Sequence, residues 1–148
     1  MKYSLLLALA LTLSACGASR DSTSEPALDK LRGQWVVINY WAQWCKPCIK
    51  EIPELNTLDQ KYSQVTVLGV NYDGATGEDL EVQLAKLGIE FSTLTTDPAG
   101  QLGAPRPLVL PTTLILDPTG QLSATLVGPQ TLASLAQATG QTAEPSTP

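Results

Sequence analysis

The chain has 148 residues with 43% apolar content, enough for one domain with its own core and short for two. Nine basic against fourteen acidic side chains leave a net charge of -5, which argues against a nucleic-acid partner held through its phosphates. Histidine is absent, which excludes Ser-His-Asp and Cys-His catalysis and His-ligated metals, and three cysteines are too few for a disulfide scaffold or a metal site built on thiolates alone.

The first segment reads as an address. Lys2, an apolar run from Leu5 to Leu13 and small residues before Cys16 have the layout of a signal peptide over 1–15. The run is about nine residues, far short of the roughly 20 that a membrane-spanning helix needs. Leu13-Ser14-Ala15-Cys16 resembles the bacterial lipobox, which implies a lipid on Cys16 and an anchor in the periplasm; an ordinary signal peptide with an incidental cysteine is the alternative. Lipoproteins kept at an inner membrane commonly carry Asp after that cysteine, so Gly17 favours the outer membrane. Residues 16–28 are polar and small, as expected of a tether, and 141–148 have the composition of a disordered tail. The folded unit is expected over 29–140.

Trp35 to Trp41 is a β-branched and aromatic run without alternation, which predicts a strand buried on both faces. Ile52, Leu55, Leu58 and Tyr62 then recur at helical spacing, predicting a helix that opens near Lys46 and is kinked at Pro53. Val65 to Tyr72 reads as a second buried strand and Gly77 to Leu87 as a helix with Leu80, Leu84 and Leu87 on one stripe. A loop is expected around Asp97 to Pro107. Thr112 to Leu116 and Leu122 to Val127 flank the turn Asp117-Pro118-Thr119-Gly120 as a hairpin, and Gln130 to Thr139 reads as a closing helix. The order predicts an α/β fold that starts with a βαβ unit and ends with a hairpin and a helix.

The chemistry lies at the first strand-to-helix junction, Trp44-Cys45-Lys46-Pro47-Cys48. Thiols at i and i+3 of a first helical turn can close a small disulfide, and the positive end of the helix stabilises a thiolate on the first of them. Cys45 is therefore expected to face solvent and react, with Cys48 deeper as the resolving thiol. A structural bridge over so short a loop would add little, and half of a metal site would need further ligands that the chain does not supply, so no metal is expected.

The stretch VVINYWAQWCKPC resembles the active-site segment of the thioredoxin superfamily. Together with the lipoprotein signal, KEIPEL and LPTTLILDPTG, it is similar to the extracytoplasmic TlpA/ResA-like (DsbE/CcmG-like) thiol-disulfide reductases, over about residues 31–139. The resemblance implies a thioredoxin-like fold, a central mixed sheet flanked by helices. It implies that Pro111 is a cis-proline facing the dithiol, with Leu110 and Thr112 along a substrate groove. Gly128 matches a glycine that lets a partner chain approach, although it also fits a turn. Asn39 stands where cytoplasmic thioredoxins carry a buried acid. Glu51 matches an acidic residue near the dithiol that could move a proton for Cys48; a solvated carboxylate in an early helical turn is the alternative. Trp44 is expected on the docking surface and Trp41 in packing. Lys46, an exposed cation, can favour the Cys45 thiolate, and Pro47 sits between the cysteines. Two departures stand out: the segment before the first strand is short, and Gly103-Ala104-Pro105-Arg106-Pro107 is rich in proline.

The expected function is a tethered monomeric thiol-disulfide oxidoreductase without organic cofactor. It would take electrons from a membrane-embedded thiol reductant and reduce disulfides of exported proteins, apocytochrome c among the candidates. A disulfide oxidase or isomerase is the alternative within the same chemistry. A copper metallochaperone is disfavoured by the lack of His and of any Met beyond Met1, and a non-catalytic adaptor by the intact dithiol.

Overall fold

The computed structural model describes residues 28–141; the expected signal peptide, the lipidation at Cys16, the tether before Leu28 and the tail from 142 lie outside the described residues. Trp35–Trp41 forms β1, and every residue of it after Trp35 is buried, as an unbroken apolar run requires when a strand is covered on both faces. It pairs in parallel with β2 (Val65–Asn71) and antiparallel with β4 (Thr112–Leu116), so it is the centre of the sheet. Helix α1 (Lys46–Lys61) follows β1 and runs on through the exposed Pro53; α2 (Gly77–Leu87) follows β2. β4 and β5 (Leu122–Val127) make the hairpin, and α3 (Leu132–Ala138) closes the chain.

One strand escapes the sequence reading. Ser92–Leu94 forms β3, which pairs in parallel with Leu68–Val70 and extends the sheet to the order β3-β2-β1-β4-β5. Three residues are too few for alternation to register, and the pairing, not the local pattern, makes the strand. A short 3-10 helix at Leu28–Leu31 likewise has no pattern long enough to show in the sequence. At the other end Gln141, expected to start the tail, donates its N–H to Ala136 O at 2.8 Å and so caps α3.

Alternation along β1 sorts the core into two layers. Val37 packs with Leu55 and Leu58 of α1 and Leu135 of α3. Val36, Ile38 and Tyr40 face the other way, with Leu68, Leu114 and Leu116, and this layer is covered by Leu28 and Leu31 of the 3-10 helix and by Leu102, Ala104 and Leu110 of the segment before β4. Trp41 is fully buried at the end of β1 among Cys45, Cys48 and Leu80. It passes so close to β2 that a side chain at Gly69 would put its Cβ 2.8 Å from Trp41 Nε1.

Candidate active site

β1 ends at Trp41, and the chain turns through Ala42 to Cys45, whose N–H donates to Ala42 O at 3.0 Å. Cys45 is the N-cap of α1: its backbone is extended (φ -82°, ψ 93°) and its Sγ accepts the Cys48 N–H at 3.3 Å. Pro47 occupies the first turn, where its missing N–H costs no helix bond. This geometry brings the two cysteines into a disulfide with a Cα–Cα separation of 5.3 Å. Both are buried, Cys45 4% and Cys48 1% exposed, so the solvent-facing Cys45 read from the sequence is corrected. The reason is the cluster around it: Trp41, Ala42 and Leu80 close on the pair, and Leu110 packs against them. What distinguishes the two sulfurs is position at the helix terminus. Lys46 and Pro47 are exposed on the rim. Trp44 is 61% exposed, with its indole N–H held by Asp73 at 2.9 Å.

The Leu110–Pro111 peptide bond is cis. Leu110 belongs to the same cluster as the disulfide, and the Pro111 carbonyl accepts the Gly128 N–H at 2.9 Å. Gly128, at φ +88°, turns the chain out of β5, a conformation that side chains rarely adopt. Thr112 is buried, and its hydroxyl donates to Val109 O at 2.7 Å, bonded within its own loop.

Glu51 lies one turn beyond Cys48 and is 1% exposed, which overturns the solvated alternative. Its Oε2 accepts from Asn39 Nδ2 at 3.2 Å and its Oε1 from the Gln130 N–H at 3.1 Å; Asn39 also donates to Thr113 Oγ1 at 3.0 Å. Burial pushes the Glu51 carboxyl up to about 7 against the two hydrogen bonds, which favour the charged form. Asn39 and Thr113 face each other in the β1–β4 register. Thr113 and Gln130 were not singled out in the sequence, although an amide inside an apolar strand is itself a signal that buried partners must exist.

Also unread was a brace behind Pro111. Asp97 accepts from the Tyr40 hydroxyl at 2.6 Å and from Arg106 Nε at 3.0 Å. The Arg106 guanidinium sits 4.1 Å from the Tyr72 ring centroid and donates to Tyr72 O at 2.6 Å, while the Tyr72 hydroxyl donates to Pro107 O at 3.1 Å. Burial first, and then the Asp97 carboxylate, push the Tyr40 hydroxyl up, so it stays a donor. The proline-rich loop is thereby tied to the ends of β1 and β2.

The sequence matches the AhpC/TSA family over residues 11–125. The chain belongs to that family. It is 30% identical to the thiol:disulfide interchange protein HelX of Rhodobacter capsulatus over 82% of this chain and 66% of that protein. It is 32% identical to the thiol-disulfide oxidoreductase ResA of Bacillus anthracis over 70% of this chain and 61% of that one. It thus spans less than two thirds of the length of these relatives. Among solved structures, a DsbE-type interchange protein of Chlorobium tepidum superposes with a TM-score of 0.62 at 29% identity, covering 75% of this chain and 81% of that one. A secreted thiol-disulfide isomerase of Corynebacterium glutamicum does so with 0.65 at 26%, covering 76% and 72%. The fold is thioredoxin-like, as expected: among the described residues, a mixed five-stranded sheet with three α-helices and a short 3-10 helix.

Proposed function

We propose that this member of the family is a thiol-disulfide oxidoreductase that reduces disulfides of exported proteins through Cys45 and Cys48. The observation that carries the reading is the Cys45–Cys48 disulfide at the N-terminus of α1, packed against Leu110 of the cis Leu110–Pro111 pair. In the reduced protein the helix terminus favours a thiolate on Cys45. That thiolate attacks one sulfur of a substrate disulfide; a substrate thiolate leaves and a mixed disulfide forms. The Cys48 thiolate then attacks Cys45 Sγ and displaces the second substrate thiolate, and the Cys45–Cys48 disulfide closes. Two electrons have moved to the substrate, and a dithiol donor must return them. Glu51, with a carboxyl near neutrality and one turn from Cys48, is suited to hold the proton that Cys48 gives up and takes back.

Support for the remaining parts of the reading comes from the sequence: the lipobox-like Cys16 for a lipid anchor facing the periplasm at the outer membrane, and the resemblance for a membrane-embedded thiol reductant as donor and apocytochrome c among the substrates. The cysteine pair is the redox group, no further cofactor is required, and one chain suffices for the exchange. An oxidase or isomerase is the second reading, favoured by the likeness to a secreted isomerase. The reduction potential of the pair, equilibrated against glutathione or dithiothreitol, separates the two. A value near or below about -230 mV is expected; a value near about -120 mV would replace the reductase by an oxidase.

A further inference from the structure

Charge is distributed unevenly along this chain. From Pro107 to Ala143 Asp117 is the only charged side chain, in a protein whose net charge is -5. That stretch contains β4, β5 and α3, and β5 is the outermost strand on its side of the sheet. Outermost strands are ordinarily guarded by charged side chains, Pro or cover, because their free N–H and C=O groups invite another chain. β5, with the sequence LSATLV, carries neither charge nor Pro.

Beside it lies an apolar groove of about 460 Å³, walled by Pro107, Leu108 and Val109 on one side and by Leu122, Thr125 and Val127 on the other, with Leu114 on its lining. Leu108 is 93% exposed, Val127 62% and Val109 55%, a density of bare aliphatic surface that a chain does not ordinarily leave to water. Arg106 is the charged residue on the lining, and its guanidinium is already engaged by Asp97 and Tyr72. The groove lies on the sheet face covered by coil and a short 3-10 helix, opposite α1 and α3.

The end of the groove formed by Val109 and Val127 points to its occupant. Val109 is followed directly by the cis Leu110–Pro111 pair, and Val127 by Gly128, which is bonded to Pro111 O. Leu110 packs against the Cys45–Cys48 cluster, so a polypeptide whose disulfide reaches Cys45 has the Val109 and Val127 end of this groove beside it. We propose that the groove receives an extended, uncharged, apolar segment flanking the cysteine of a protein substrate. This inference rests on the oxidoreductase reading and adds a sequence preference to it. Six residues of β5 span about 20 Å, room for about six residues of extended chain. Charged flanks would be desolvated against neutral aliphatic walls without a partner.

The test uses the reduced protein and two peptides, each carrying one cysteine as its mixed disulfide with glutathione, with flanks that are either apolar or alternating Glu and Lys. The exchange is a single event per protein molecule: the protein dithiol becomes the Cys45–Cys48 disulfide, and peptide thiol and glutathione are released. The second-order rate constant of this single exchange is expected to be higher by about tenfold or more with the apolar peptide than with the charged one. In Leu108→Asp, and separately in Val127→Asp, the ratio is expected to fall to within about twofold; both positions are exposed, so neither change empties the core. A wild-type ratio near one, with oxidised glutathione still exchanged, would overturn the groove and leave the oxidoreductase. Failure with both peptides and with oxidised glutathione would overturn the oxidoreductase itself. A wild-type dimer that Leu108→Asp dissolves, with the peptide ratio unchanged, would reassign the groove to a second copy.

Discussion

Glu51 does not behave as a carboxylate early in a helix ordinarily would. In the unfolded chain its carboxyl titrates at the ordinary value of 4.5, and in the fold burial carries it up to about 7. A raised carboxyl binds its proton more tightly in the native state, so the associated stability is fully present below about 4.5 and lost as pH rises through about 7. Glu51→Gln cannot titrate. Urea unfolding of both proteins from pH 4 to 8 is expected to show wild type losing roughly 3 kcal/mol relative to the variant over that window. Parallel profiles would mean that the carboxyl is not held near neutrality. The sequence placed Glu51 near the dithiol but left its solvation open, because three positions along a helix fix direction and not depth. Depth comes from Asn39 on β1 and the Gln130 N–H ahead of α3, which arrive from remote parts of the chain. Cys45 was misjudged for the same reason: its place at the helix terminus is local, while Leu80 and Leu110, which help to cover it, are not.

The elements that the sequence revealed are those whose pattern is long enough to repeat. β1, β2, β4, β5 and α2 were legible to within a residue: β1 and β2 are apolar runs, α2 carries an amphipathic stripe, and β4 and β5 flank the turn at Asp117–Gly120. β3 was not, and neither was the order imposed on the segment between Asp97 and Pro111, which contains no helix or strand. That segment is held by side chains instead: Tyr40, Asp97, Tyr72 and Arg106 join it to β1 and β2. Arg106→Ala removes the stacked guanidinium and its two hydrogen bonds. Because the Arg106 side chain is about half exposed, a global loss of only about 1 kcal/mol is expected. The larger effect should be local. Amide exchange over residues 99–110 is expected to accelerate while β1 and β2 keep their protection; unchanged exchange in the segment would show that the apolar contacts of Leu102, Ala104 and Leu110 hold it alone.

At the scale of the molecule, the dithiol sits just beyond the end of the central strand of one continuous sheet, and redox state and fold stability are coupled through the same small cluster of Trp41, Cys45, Cys48 and Leu80. Composition and element order made the α/β fold legible, whereas the redox poise was not, because it depends on how differently the fold stabilises the disulfide and the dithiol. A cycle links the two quantities: each 30 mV by which the pair in the fold lies below the same pair in the unfolded chain makes the oxidised fold about 1.4 kcal/mol more stable than the reduced one. Entropy of the closed loop contributes little, since the cysteines are three positions apart. Any difference must therefore arise in the native cluster. For a reductase the oxidised protein is expected to unfold at higher urea than the reduced protein, with the gap matching the measured potentials of folded and unfolded pairs. A reduced form that outlasts the oxidised one would mean that Trp41, Leu80 and the α1 terminus accommodate the dithiol better, which is the poise of an oxidase.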